Sequence, residues 1–377
     1  MLKFFLVTFL LSRVLVATQP TKQCDDDQNN EWQQNDLDHI DKVVNDFMAS
    51  WGVVGSSLAL IKDGRLVYAK GYGVKDLDTN EPVQVSTLFR IASVSKPVTA
   101  TTLMKMIEND PGLLNRKIFG ADGILGTEYG TPSFYDPYVY QITVKHLLEH
   151  TAGGYYWSNE GHDPTWNYYH LYDSSPELIG WVLDTKNINN PPGQDYYYSN
   201  FEYCLLGRVI EKLSNGMSYE SYVQENLLKP CGVSKNMQIG SSHKYTNKKE
   251  ATYYSFNDAS PYYPEINVPR MDADGGWIGS TIDLARFLVC VDGSDTKPDI
   301  ISKSTWNLMT APTSESGYTY AKGWGTCCNG NIFHSGSFQG TGSEVWINAN
   351  VLNFSRLEKQ ARLLVFLPLH FLFWDEN

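Results

Sequence analysis

The chain carries strand-like runs at both ends and helical patterns between them, and this arrangement most constrains how it can fold. Near the N-terminus, "SSLALIKDGRLVYAKGYG" sets two apolar, partly alternating runs on either side of Asp63-Gly64, a dipeptide suited to a two-residue hairpin turn. Near the C-terminus, "IFHSGSF", "SEVWIN" and "ARLLVFL" read as three more strands. A helix precedes the hairpin, because Ile40, Val43, Val44, Phe47 and Met48 recur at helical spacing. Another spans Ser93–Glu108, with Ala100, Leu103 and Ile107 on one face and Pro97 in the first turn, where its missing N–H is harmless. "VKHLLEH", "LLGRVIEKL" and a segment from about Asp283, capped at Ser280 or Thr281, supply further helices. The expectation is an α/β (α+β) fold: an antiparallel sheet built from both chain ends, flanking helices, and an inserted, mainly helical lobe. The sheet lobe covers about 36–90 and 270–377 and the helical lobe about 91–269. A cleft between two such lobes is the natural place for a site.

Charge excludes one class of function. With a formal net charge of −12 and no basic run denser than Lys248-Lys249, the chain has no electrostatic footprint for nucleic acid. The N-terminus points to export. Residues 1–18 combine a basic start, an apolar run and a small residue at Ala17, the pattern of a secretory signal peptide, with a signal anchor as the alternative. Membrane contact is expected only through this segment. A polar linker, 19–35, separates it from the domain, 36–377. Six cysteines in an exported chain permit disulfides of undetermined pairing. Cys327 and Cys328 are adjacent, so their Cα atoms lie about 3.8 Å apart, too close to pair with each other. Asn353-Phe354-Ser355 is a glycosylation sequon.

The chemistry begins at "FRIASVSKPVTATTLMKM". Ser93 and Lys96 stand three apart at a helix start, so they share a face, and the free N–H groups of the first turn suit a developing oxyanion. A serine hydroxyl is inert until a base takes its proton, and burial makes lysine a usable base near neutrality. Spacing alone decides nothing, because Ser241 and Lys244 have it too. That second pair is followed by no apolar periodicity and reads as solvated loop. Two further stretches separate them. Tyr198-Ser199-Asn200 precedes an apolar helix; a tyrosine can relay the serine proton and an asparagine amide can hold the lysine. His334-Ser335-Gly336 lies on a late strand, where glycine marks close backbone approach.

With these three motifs in order, the chain resembles the serine β-lactamase / penicillin-binding-protein superfamily, and within it the class C β-lactamase-related esterases and D-aminopeptidases. "LLEHTAGG", "PPGQDYYYSN" and "DADGGWIGSTIDLARF" support the resemblance, which runs from about residue 36 to about 348. It implies that Ser93 attacks an acyl carbonyl and forms an acyl-enzyme. Tyr198, kept reactive by Lys96, would exchange protons with Ser93 and the leaving group, and Asn200 would orient Lys96 and substrate. The N–H groups of Ser93 and Ser337 would form the oxyanion hole beside Gly336.

Two departures qualify the resemblance. β-Lactamases and transpeptidases of this superfamily usually carry lysine where His334 stands. A histidine is mostly neutral at pH 7, so a small acyl or peptide substrate without a carboxylate is expected: an ester, a lactone or a neutral peptide. Relatives usually end in a helix packed on the sheet, whereas here one strand, Ala361–Leu367, is followed by Pro368 and an apolar tail. The aromatic stretch Tyr155–Tyr172 is expected mainly in core and lobe packing, with a cleft lining as the alternative. His150 is expected to be structural, and His162-Asp163 suggests no metal site. No metal and no cofactor are expected. Two functions are thus in view: a secreted serine hydrolase acting through Ser93, or a catalytically weak scaffold of the same fold that self-assembles or binds a partner.

Overall fold

The computed structural model describes residues 34–347 and 363–371, apart from residues 162, 171, 245, 255–259 and 328–329. The signal peptide, nearly all of the linker, the Asn353 sequon and the tail beyond Phe371 lie outside the described residues. A seven-stranded antiparallel sheet has the order β3-β2-β1-β10-β9-β8-β7. Its strands are β1 (Val53–Lys62), β2 (Arg65–Asp76), β3 (Glu81–Pro82), β7 (Gly325–Cys327), β8 (Asn331–Phe338), β9 (Thr341–Ile347) and β10 (Leu363–Phe371). Both ends of the chain therefore meet in one sheet, and β1 lies directly against β10. The β1–β2 turn is Asp63-Gly64, with φ of 49° and 67°, the doubly left-handed turn whose twist matches a hairpin.

Helix α1 (Gln34–Trp51) covers one face of this sheet. Ile40, Val44 and Met48 pack there on Leu58 and Leu60 of β1, while the alternate residues Ala59 and Ile61 join the main core on the other face. Strand β1 is thus buried on both faces, which explains its nearly unbroken apolar run. The remaining α-helices among the described residues are α2 (Ser95–Asn109), α3 (Val144–Leu148), α4 (Ser175–Thr185), α5 (Asn200–Leu213), α6 (Tyr219–Val223), α7 (Thr281–Val289) and α8 (Lys303–Thr310). Ser280 caps α7 in a reciprocal capping box with Asp283. A second, three-stranded sheet has the order β4-β6-β5, from Phe89–Arg90, Trp277–Gly279 and Gln238–Ile239. Cys231 and Cys290 form a disulfide across 59 residues of sequence.

Two expectations are corrected here. The last strand does not stop before Pro368. It continues to Phe371, with Pro368 opposite Ser56 of β1. On the other side, β10 pairs with β9 through Leu363–Phe366 and again at Leu369. Pairing with β9 is interrupted at the proline, which has no N–H to contribute. The Tyr155–Tyr172 stretch is also less buried than expected. Trp157 is fully buried, but Tyr169 is 87% and Tyr172 67% exposed, and Trp166 is 40% exposed.

Candidate active site

Ser93 stands on a 3-10 turn, Ala92–Val94, that runs directly into α2. Ala92 has φ of 45°, a left-handed conformation that costs a non-glycine residue about 1–2 kcal/mol. The residue after this kink is singular: from Thr87 to Met104 every residue is buried except Ser93. Nor does the Ser93 side chain cap the helix; its hydroxyl oxygen instead accepts from Lys96 Nζ at 3.1 Å.

Lys96, the second residue of α2 and about one turn past Ser93, is fully buried. Besides Ser93, its Nζ donates to Asn200 Oδ1 at 2.7 Å and to the Asp274 carbonyl oxygen at 2.8 Å. An ammonium has three N–H bonds, and all three find acceptors. Burial pulls the Lys96 pKa down to about 8, against the opposing charges of Asp274 and Asp163. A base with that pKa is neutral in a useful fraction of molecules near neutrality.

Tyr198 and Asn200 come from the junction into α5. The Tyr198 phenol lies near enough to Ser93 for that hydroxyl to favour its ionised form, and its ring centroid lies 4.9 Å from Lys96 Nζ. Burial holds the phenol well above its ordinary range, so it rests as a neutral hydroxyl able to give a proton. The Asn200 amide is fixed from both ends, because its Nδ2 donates to Asn159 Oδ1 at 3.1 Å. Ser199 caps α5 by accepting from Glu202 N–H.

The third motif approaches edge-on. Among the described residues strand β7 covers β8 at Asn331–Phe333 and no further along it, which leaves the edge from His334 onward facing the Ala92–Val94 turn. At Gly336 the approach is so close that a Cβ would stand 2.4 Å from the Ile91 carbonyl oxygen and 2.9 Å from Ser93 N. Ser337, the next residue, is exposed. Ser93, Lys96, Tyr198, Asn200, Gly336 and Ser337 are therefore gathered in one place.

His334 is part of the wall, but its nitrogens are occupied. Nδ1 lies 2.7 Å from the Ser335 carbonyl oxygen, and Nε2 lies 3.1 Å from the Tyr320 hydroxyl. A ring nitrogen beside a carbonyl oxygen must donate, so Nε2 carries the lone pair and accepts from Tyr320. Burial, reinforced by the Lys96 charge, lowers the His334 pKa to about 3. The ring is neutral. Ser241, of the second serine–lysine pair, sits in a loop where its carbonyl oxygen accepts from Arg90 Nη2 at 2.9 Å.

Two residues to which the three motifs assigned no role, Asp163 and Asp274, also converge on the site. Asp163 is buried and accepts from Asn200 N–H at 2.6 Å and from Thr165 N–H and hydroxyl. Burial raises its carboxyl. Asp274 lends its carbonyl to Lys96, yet neither of its carboxylate oxygens has a hydrogen-bond partner among the described residues. Burial raises that carboxyl well above the ordinary range against the pull of Lys96. Asp274 lay in the quoted "DADGGW", while Asp163 had only an Asp-Pro capping pattern to announce it. Among the described residues, no group of three His, Cys, Asp or Glu side chains is disposed to hold a metal ion.

The chain is similar to several known proteins. Over 320 residues the chain is 26% identical to Protein flp of Staphylococcus aureus (strain N315), covering 82% of this chain and 60% of that protein. It is 24% identical over 333 residues to Penicillin-binding protein 4* of Bacillus subtilis (strain 168), covering 81% of this chain and 68% of that one. The chain thus spans about 60% of the length of the flp proteins it matches. Among solved structures, the octameric penicillin-binding protein homologue from Pyrococcus abyssi matches with a TM-score of 0.65 at 25% identity, covering 88% of this chain and 73% of that one. The D-amino acid amidase from Ochrobactrum anthropi SV3 shares the fold, with a TM-score of 0.67 at 20% identity over 88% of this chain and 91% of that one. The Beta-lactamase family model matches residues 40–351, a span that includes every residue of the site, and the chain belongs to the Beta-lactamase family.

Proposed function

We propose that the chain is a secreted serine hydrolase that forms an acyl-enzyme at Ser93, acting as an esterase or peptidase on a small neutral acyl substrate. One observation carries this reading: Lys96, buried and with its pKa near 8, donates to the one unburied hydroxyl of its segment. In this mechanism the neutral fraction of Lys96 receives the Ser93 proton as Oγ attacks the acyl carbonyl carbon. The oxyanion is received by the N–H groups of Ser93 and Ser337, each donor worth about 2.7–4 kcal/mol. The Tyr198 phenol gives its proton to the leaving group and is reprotonated by way of Lys96. Water then attacks the acyl-enzyme by the reverse proton path and frees Ser93.

The charge of the site supports a neutral substrate. His334 carries no charge, and Lys96 is buried with its donors taken, so neither offers a cation to a substrate carboxylate. An apolar group beside the scissile bond is supported by Trp166, whose ring packs edge-on against Phe338 with centroids 5.6 Å apart, one residue past Ser337. Secretion is supported by the Cys231–Cys290 disulfide, which suits an oxidising compartment.

The test is intact-mass spectrometry after incubation with a fluorophosphonate. A single adduct on the folded wild type, abolished by Ser93→Ala, is the expected result. No adduct on folded protein sinks the reading and leaves the weak scaffold; an adduct that survives Ser93→Ala moves the nucleophile elsewhere. A panel of short esters, neutral peptides and a carboxylate-bearing β-lactam then ranks substrates, with the neutral ones expected to turn over fastest.

A further inference from the structure

His150 follows α3 at the end of "LLEH" and is fully buried, with φ of 56°. A left-handed histidine is uncommon, so the surrounding contacts must fix it. They bracket Tyr198. The His150 carbonyl oxygen accepts from Tyr197 N–H at 2.9 Å. Its ring Nδ1 accepts from Ser199 N–H at 3.2 Å. The backbone on each side of Tyr198 is thus held by one residue. The ring also lies against the Tyr198 side chain, with centroids 4.4 Å apart.

The ring is itself held from behind. Tyr203 and Tyr320 stand at centroid distances of 5.0 and 4.8 Å. Because Nδ1 accepts, the neutral ring carries its proton on Nε2, which has no hydrogen-bond partner among the described residues and sits among these aromatic rings. The tie is reciprocal. Glu202, in the first turn of α5, accepts from Ala152 N–H and Gly153 N–H at 3.2 and 2.9 Å. The turn bearing His150 and the motif bearing Tyr198 therefore lock each other in place.

We infer that His150 is a positioning residue for Tyr198: it sets the depth and tilt of the phenol over Ser93 and Lys96 by clamping Tyr197 and Ser199 and by packing on the ring. This rests on the acyl-enzyme reading above. A residue that merely finished α3 would need neither the bond to Ser199 nor the ring contact. Displacing a reacting group by about 1 Å costs on the order of a hundredfold in rate, which sets the scale of the effect.

The experiment is a double-substitution cycle on the full chain, read as the rate constant and the half-saturation concentration for fluorophosphonate labelling, with melting temperature alongside. His150→Asn keeps an acceptor near the Nδ1 position and tolerates positive φ but removes the ring; His150→Gln is the second variant. The expected result is folded protein whose labelling rate constant falls about 10- to 100-fold, with half-saturation within about twofold. Adding His150→Asn to Tyr198→Phe is expected to slow labelling no further, because the group it positions is already gone. Labelling at the wild-type rate, losses that multiply in the double variant, or failure of both His150 variants to fold overturns the inference in favour of a purely structural role. Absence of labelling on wild type, by contrast, removes the acyl-enzyme reading itself.

Discussion

The Tyr320 hydroxyl donates to Nε2 of His334 at 3.1 Å, and the ring has its other nitrogen on the Ser335 carbonyl at 2.7 Å. The position at which many relatives place a fixed cation is therefore filled by a neutral ring wired into the wall. Acid stability depends on that neutrality, and so does the neutral-substrate preference proposed above.

The acid prediction follows from linkage. His334 falls from an ordinary 6.5 to about 3 on folding, so below pH 6.5 the unfolded chain takes up a proton that the folded chain refuses. The associated stability is fully present above pH 6.5 and is lost as pH drops toward 3. Between pH 6.5 and 5 this one group costs about 2 kcal/mol. His150, also held neutral by burial, acts in the same direction. Urea unfolding at pH 7 and 5 is expected to show the loss, and His334→Gln, which keeps an acceptor for Tyr320, is expected to flatten it. An unchanged pH slope in that variant refutes the neutral buried ring.

The second prediction concerns Lys96. Only its neutral form can take the Ser93 proton, so kcat/KM for a neutral ester should rise with pH and level off above a midpoint near the Lys96 value of about 8. Asp274 helps to hold the proton on Lys96. Asp274→Asn is accordingly expected to move the midpoint to lower pH, measured as a pH profile of kcat/KM on matched protein. A midpoint that moves up means the titrating group is not Lys96, and one that stays put means that Asp274 carries no charge at that pH.

How much of this was open to inspection in the sequence depends on how local each feature is. The Asp63-Gly64 turn, the Ser280 cap and the apolar faces of α1 and α2 are short-range patterns, and each is found where its residues imply. Ser93, Lys96, Tyr198 and Asn200 carried their own local signals and meet in one place. Asp163 and His150 did not, because their part comes from loop closure: the bonds to Asn200 and Ser199 span 37 and 49 residues. The strands Phe89–Arg90 and Gln238–Ile239 are two residues long, too short for any alternation. Pro368 misled because a proline usually ends a central strand, and only the interrupted β9 pairing accommodates it.

A third prediction tests the turn before His150 from another side. Lys322 Nζ lies 2.7 Å from Glu149 Oε1, and both side chains are only 5% exposed. Lys322→Met leaves a buried carboxylate without this partner, at an expected cost of about 3–5 kcal/mol. Lys322→Met with Glu149→Leu removes both charges and is expected to recover most of that loss. Urea midpoints for the wild type, the two single variants and the double variant decide it. A double variant no more stable than Lys322→Met means the pair is not the source of the loss.

The last prediction isolates the close approach of β8 to the nucleophile's turn. An alanine at position 336 would put its Cβ 2.4 Å from the Ile91 carbonyl oxygen, 2.5 Å from Ser343 Oγ and 2.9 Å from Ser93 N. Two of those atoms are backbone and cannot rotate away, so β8 must retreat from the Ala92–Val94 turn. Retreat widens the gap between Ser93 N–H and Ser337 N–H, the two donors assigned to the oxyanion. Losing the use of one such donor lowers kcat by about 10²–10³, and overpacking costs about 1–3 kcal/mol of stability. Gly336→Ala is thus expected to lose kcat far more than KM. Gly216→Ala is the control: φ there is +82° but nothing lies within 4 Å of the added Cβ, so it should lower stability slightly and leave turnover unchanged. If Gly336→Ala turns over like the wild type, the strand edge is not where the transition-state oxygen sits, and the oxyanion assignment to Ser337 fails with it.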